Sequence, residues 1–179
     1  LYLRGDGSPP HVTPDELAAH SYGLICLTGG PDGPIGRLLQ AGQAAKAEAL
    51  LRRLAAAYPD RFYVELQRHP GEGGQYTEAE QATERGHVEM AYALNLPLVA
   101  TNDVYFPKPD MYEAHDALIC IAEGAYVDQQ EPRRRLTPQH YLKSPDEMAA
   151  LFADLPEALE NTAEIARRCA FAAQKRAPI

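Results

Sequence analysis

The apolar run LPLVATNDVYF (residues 96–106) ends in a polar cluster, with Asp103 two residues before Tyr105. A carboxylate at the C-terminal end of a buried strand is a common place for a metal ligand or a catalytic acid. Side chains at i and i+2 of an extended segment point the same way, so an Asp-x-His here would make a metal-ligand or acid/base pair. The second position instead holds Tyr105, a poor divalent-metal ligand at neutral pH because its phenol ionises near ~10. Alone, Asp103 also reads as a turn- or helix-capping carboxylate. Glu65, inside RFYVEL, needs a partner if it is buried. Arg68 is near enough in sequence to supply one, so a structural ion pair is expected, with a catalytic carboxylate as the alternative.

Of the six histidines, His69 is the best placed, just beyond that same strand. His11, His20, His87 and His140 read as surface residues, and His115, among Glu113 and Asp116, as exposed or capping. TGGPDGPIG (residues 28–36) resembles a phosphate-cradling loop entering a helix. It lacks the lysine of a P-loop, and Pro31 and Pro34 each remove an N–H donor, so a tight turn is the better reading. Arg133-Arg134-Arg135 is a compact basic run, read as a solvated loop or a contact to another domain. No Ser/His/Asp or Cys/His arrangement is recognisable.

The elements that would position these residues follow from punctuation and periodicity. Thr13-Pro14-Asp15-Glu16 has the form of a capped helix start, with the helix running to about His20. GLICL (residues 23–27) reads as a buried strand entering a turn. Ala, Leu, Lys, Glu and Arg dominate from Ile35 to Ala57, as in one long amphipathic helix. RFYVEL is the second strand, a helix from about Tyr76 to Leu94 follows, and LPLVAT is the third strand. Asp110 is expected to cap a helix through about Glu123. Ser144-Pro145-Asp146-Glu147 repeats the capping form, and Pro156 opens a last helix with Leu159, Thr162, Ile165 and Cys169 on one core-facing stripe. Alternating strands and helices, with apolar rather than alternating strands, predict a parallel α/β sheet covered on both faces. Three such units are few for a closed barrel and suggest the second half of one.

The 179 residues suffice for one domain with a sizeable core, and 45% hydrophobic with 23% charged residues is ordinary for a soluble protein. A net charge of −8 gives the chain as a whole no electrostatic reason to coat nucleic acid. Binding through Arg133–Arg135 would be steeply salt-dependent. Three scattered cysteines without a CxxC pair argue against a disulfide framework or zinc knuckle and suit a reducing cytosol. No apolar run is long enough for a membrane span, and no leader opens the chain. A start at Leu1 in the Gly/Pro-rich RGDGSPPHVTP is expected of an excerpt from something longer.

Several segments together, GLICLTGG…GPIGRLL, RFYVELQRH, LPLVATNDVYF…DMYEAHDALICIAEG and YLKSPDEMAALFADLPEALENTAEIARRC, resemble the PHP (polymerase and histidinol phosphatase) domain of bacterial replicative DNA polymerase III alpha subunits. The likeness runs in order from about Gly23 to Cys169. It implies the C-terminal half of a distorted (β/α)7 barrel over residues 1–110, and over 111–179 a helical segment that completes it and leads toward the polymerase core. Metal-binding members hold a multinuclear site, and some are 3′–5′ exonucleases. By the resemblance, most of the family's ligands are expected before Leu1 and three matched positions fall in this chain: the family's cysteine on Gly30 and its Asp-x-His on Asp103 and Tyr105, so of these three only Asp103 is retained, as a vestigial metal ligand. No catalytic residue and no cofactor are then expected in this chain. Mg²⁺ would serve the parent polymerase, and Zn²⁺ or Mn²⁺ only an active PHP site. The partners implied are the polymerase core of the same polypeptide, the proofreading exonuclease and other replisome subunits, and DNA through the parent. A cytoplasmic location is implied, with no membrane, and exposed strand edges predict self-association. A different class of function remains: a stand-alone metal-dependent phosphoesterase using Asp103, Glu65 and His69.

Overall fold

In the computed structural model, which describes residues 11–129, 136–173 and 175, three short parallel strands lie in the order β1-β2-β3. They are β1 (Cys26–Leu27), β2 (Phe62–Gln67) and β3 (Leu98–Thr101), with Cys26 opposite Phe62 and Val64 opposite Leu98. Seven α-helices accompany them: α1 (Pro14–Ala19), α2 (Pro34–Gln40), α3 (Ala44–Ala57), α4 (Glu78–Ala93), α5 (Tyr112–Glu123), α6 (Pro145–Leu151) and α7 (Pro156–Arg168). The parallel α/β reading is therefore met. The Arg133–Arg135 run lies outside the described residues.

β2 is buried along its length, as a central parallel strand must be. Phe62, Val64 and Leu66 point to one face and join Ile35, Leu51, Leu54, Leu98 and Phe152 in the main core. Tyr63 and Glu65 point to the other face, where the Tyr63 hydroxyl accepts a hydrogen bond from Arg168 Nη1 at 2.7 Å. The free edge of β3 is closed by α7. Asn161 Nδ2 donates to the Leu98 carbonyl at 2.8 Å and Thr162 Oγ1 to the Ala100 carbonyl at 3.1 Å. Those two carbonyls face away from β2 and would otherwise lack a protein partner.

Capping boxes start α1 at Thr13, α4 at Thr77 and α6 at Ser144, with Glu16, Glu80 and Glu147 reaching back. Elsewhere the sequence reading needs correction. The long helix is broken into α2 and α3, because Gly42 at φ +68 ends α2 in a Schellman turn. Its N–H bonds the Leu39 carbonyl, and Gln43 N–H bonds the Leu38 carbonyl. The first strand is two residues of half-exposed edge rather than a buried run, and Leu24 stands largely in the open before it. Asp110 does not cap α5. It sits in a 3₁₀ turn, Pro109–Met111, and α5 begins at Tyr112 without a side-chain cap. On α7 the fully buried residue is Ala158, Leu159 and Ile165 are half-buried, and Thr162 and Cys169 are exposed, although Thr162 Oγ1 reaches the Ala100 carbonyl.

Arg68, just past β2, ties these layers together. Its guanidinium is almost wholly buried between the rings of Tyr76 and Phe152. It donates to both carboxylate oxygens of Glu84 on α4, at 3.1 and 2.6 Å, and to both of Asp154, at 2.6 and 2.9 Å, and it also reaches the Leu151 carbonyl at 2.8 Å. The hydrogen bonds to Asp154 and then Glu84 raise the Arg68 pKa despite burial, and Asp154 is held below the ordinary carboxylate range. Arg68→Met leaves the sheltered Glu84 carboxylate without its cation. It should cost about 3 kcal/mol in urea unfolding, and a loss under about 1 kcal/mol would show that the network is dispensable.

Candidate functional site at the strand ends

The C-terminal ends of the three strands come together around Glu65. Its carboxylate is nearly buried and accepts from Gly29 N–H at 2.9 Å, Gln67 Nε2 at 3.2 Å and Thr101 Oγ1 at 2.5 Å. Its own N–H donates to Thr28 Oγ1 at 2.8 Å. One carboxylate is thus bonded to the loop after β1, to β2 and to β3. Neutral donors satisfy it, and the expected ion pair with Arg68 does not form, because Arg68 turns to Glu84 and Asp154 on the helical side. Residues 65 and 68 are three apart along an extended chain and so leave on opposite faces.

His69 follows on the buried side. Glu80 Oε1 lies 2.6 Å from His69 Nδ1, and Glu80 Oε2 accepts from the His69 N–H at 3.2 Å. Burial alone would raise the Glu80 pKa. The His69 hydrogen bond and charge, with the Thr77 and His69 N–H groups, outweigh it and hold Glu80 below the ordinary range. An ionised Glu80 only accepts, so Nδ1 carries a proton toward it. The ring's Nε2 is buried with no hydrogen-bond partner among the described residues.

The His69 ring stacks on His140, with centroids 3.9 Å apart and planes 5° from parallel. His140 is therefore buried rather than on the surface. Thr137 holds it in a tight turn, through N–H at 3.1 Å and Oγ1 at 3.0 Å to Nδ1. Its carbonyl accepts from Tyr105 N–H at 2.9 Å, which docks residues 136–142 beside the segment leaving β3. Burial, then the charge of His69, pushes the His140 pKa down to about 4. Tyr105 meets His140 and His115 edge-on, at 6.0 and 5.6 Å between centroids. His115 is half-buried, with an Nδ1 that lacks a hydrogen-bond partner among the described residues. Asp103 is half-buried at the same mouth, and its charge acts on His140. Lys143, not singled out in the sequence, donates to Asn102 Oδ1 at 3.1 Å and to the Gln139 carbonyl, with its ammonium 4.6 Å from the centre of the Tyr141 ring. LTPQHY offers no spacing signal that would have placed His140 here, since the pairing with His69 exists only in three dimensions.

Gly30 lies in a 3₁₀ turn after β1, as the tight-turn reading of TGGPDGPIG anticipated. It is buried, with φ +56, and a Cβ there would come within 2.7 Å of the Gln67 side chain. Among the described residues, no three His, Cys, Asp or Glu side chains are grouped so as to hold a metal ion. At the matched positions Gly30 has no donor, the Gln67 amide lies beside it, and Glu65 is engaged by protein donors. His87, also expected on the surface, is 1% exposed inside α4. Burial pushes its pKa down to about 4, against a smaller opposing effect of a hydrogen bond to the Thr83 backbone.

Two measurements follow from this geometry. Gly30→Ala should destabilise by about 1–2 kcal/mol, because an L side chain resists positive φ and its Cβ meets Gln67. Gln67→Ala in the same chain relieves only the contact. Full tolerance of Gly30→Ala would show that the turn relaxes. For His87, the unfolded ring titrates near ~6.5 and the folded one near about 4. As the pH falls, the unfolded chain takes the proton first. The stability is present above about pH 6.5 and is lost between there and about pH 4, by roughly 3 kcal/mol. Urea unfolding of His87→Leu should be flatter across that window, and parallel pH profiles would contradict the assignment.

Comparison with known proteins bears on the same residues. A PHP domain model matches residues 1–69. DNA polymerase III subunit alpha of Caulobacter vibrioides is 53% identical over 179 residues, which is 99% of this chain and 15% of that protein. The same subunit of Pseudomonas aeruginosa is 48% identical over 87% of this chain and 13% of its own, and that of Escherichia coli is 40% identical over 94% and 14%. The chain thus spans 15% or less of the length of these curated relatives. The chain is thus similar over nearly all its length to a stretch of DNA polymerase III alpha subunits, and β1 and β2 lie within the match to the PHP domain.

Proposed function

We propose that this chain is part of the catalytic alpha subunit of a bacterial replicative DNA polymerase and acts there as a structural PHP domain. Residues 1–110 supply the C-terminal half of a distorted (β/α)7 barrel, and residues 111–179 complete it and lead toward the polymerase core. The parent carries out template-directed nucleotidyl transfer in the cytoplasm with Mg²⁺ held elsewhere in the polypeptide. This segment contributes no catalytic residue. Its partners are the polymerase core, the proofreading exonuclease, which it helps to dock, and other replisome subunits, with DNA bound through the parent. Asp103 is a vestigial metal position.

The observation that carries the reading is the pairing of Gly30 with Gln67. The position matched to the family's cysteine has no side chain, and a neighbouring amide occupies the space a side chain would need. Tyr105, at the matched histidine, is engaged with His115 and His140. Of the three matched positions only Asp103 keeps a ligand side chain, which lowers the count that such a site depends on.

A second reading, an active metal-dependent phosphoesterase or 3′–5′ exonuclease, has one observation in its favour. His69, with Nδ1 fixed by Glu80 and a bare Nε2, has the orientation that a carboxylate imposes on a metal-binding histidine. The two readings separate on crystals soaked in Zn²⁺ or Mn²⁺. The structural reading expects no anomalous peak with three protein ligands near Asp103 or His69, and such a peak would overturn it. In the full-length polypeptide, Asp103→Asn should leave Mg²⁺-dependent primer extension within about twofold of the unsubstituted protein. Failure of the unsubstituted polypeptide to extend a primed template would sink the polymerase assignment itself.

A further inference from the structure

Lys143 is a half-buried lysine held by neutral groups. Its Nζ donates to Asn102 Oδ1 at 3.1 Å and to the Gln139 carbonyl. Among the described residues, no carboxylate lies within ion-pair distance of it. Asn102 is itself fixed, since its Nδ2 donates to the Tyr141 carbonyl at 2.6 Å and leaves Oδ1 for the lysine. An ammonium has three N–H donors, and these bonds use two. A neutral amine has two N–H donors and one lone pair. It therefore satisfies the same two acceptors and leaves the lone pair free.

The charged and titratable neighbours act in opposite senses. The Tyr141 ring, its centre 4.6 Å from Nζ, favours the ammonium, and so do the charges of Glu147 and Glu80. Glu147 is engaged by the Tyr141 hydroxyl, which donates to it at 2.6 Å. Burial acts the other way and prevails, holding the Lys143 pKa below that of a free lysine. Lys143 also forms part of the wall of a cavity of about 460 Å³ between α6, α7 and β3. Met148, Leu159, Ala163 and Ala166 line it, and Lys143 is the one charged residue of the lining among the described residues. Thr162, also in the wall, already donates to the Ala100 carbonyl. An apolar recess beside an amine without a counter-ion suits an uncharged carbonyl reagent that carries a short alkyl chain.

We infer that Lys143 is a modification site, acylated by thioesters whose short apolar chain enters the recess between α6 and α7. The amine lone pair adds to the thioester carbonyl carbon, a C–N bond forms and the C–S bond breaks. The thiolate leaves and takes up the proton released from nitrogen, so an amide and a thiol result. That amide has a single N–H, and either Asn102 Oδ1 or the Gln139 carbonyl loses its partner. The reaction draws on none of the polymerase assignment, so its failure leaves that assignment standing.

The test treats the full-length polypeptide at neutral pH with the butyryl or the acetyl thioester of N-acetylcysteamine, and reads acylation per lysine by mass spectrometry. Exposed Lys46 on α3 and exposed Lys108 are the references. Lys143 should acylate about threefold or more faster than either, with a larger lead for butyryl. The lead should vanish in urea, where the recess is gone. Ala163→Phe, at an exposed α7 position in the wall, should cut the butyryl lead and spare the acetyl one. Acylation of Lys143 no faster than the references in the folded protein overturns the inference. A lead that survives urea belongs to the neighbouring sequence and overturns it too. So does a lead indifferent to both chain length and Ala163→Phe, since the recess would then recognise nothing.

Discussion

The architecture turns on a buried carboxylate that meets neutral donors and, among the described residues, no cation. Glu65 stands where three parallel strands end, and strand ends are where backbone groups lose their ladder partners. By accepting from Gly29, Gln67 and Thr101, it joins the exit of each strand to the other two. Three donors converge on its two oxygens, so its burial leaves the carboxyl group hydrogen-bonded throughout. Remove that acceptor and the donors of three segments are stranded together, so the loops carrying Gly30 and Asp103 would lose a common anchor. Arg68 performs the matching task on the helical side, where Glu84 and Asp154 meet it.

Local chemistry wrote much of this fold openly. The capping boxes at Thr13 and Ser144 are four-residue signals whose donors and acceptors lie within one turn, and both are formed where the letters place them, while a third, at Thr77, went unread. β2 and β3 declared themselves as apolar runs because both their faces are covered. The break between α2 and α3 was harder to see: apolar spacing continued across Gly42, and the left-handed cap outweighs the helix propensity around it. Asp110 failed as a cap because prolines at 107 and 109 impose a tighter turn before α5.

The candidate site was legible in its positions and not in its pairings. Glu65 lies near the end of β2, and His69 and Asp103 just past the ends of β2 and β3, since that follows from the order of strands and turns. The partners do not follow. Glu65 chose neutral donors over Arg68, and His69 chose Glu80, eleven residues away on the next helix. His140 comes from a loop about seventy residues downstream of its stacking partner. Polarity made His87 and His140 look exposed, but α4 and the 136–142 turn enclose them. Gln67 gave no warning that it fills the space beside Gly30, because that contact depends on a positive φ invisible in composition.

The helix α7 gives the sheet a direction of growth. With Asn161 and Thr162 occupying the outward carbonyls of β3, that side resembles the hem of a woven cloth, finished by side chains. The two residues of β1 have no comparable seam from a helix lying along them among the described contacts. A strand added beside β3 would first have to displace two side-chain hydrogen bonds, whereas one added beside Cys26–Leu27 would displace none of that kind among the described contacts.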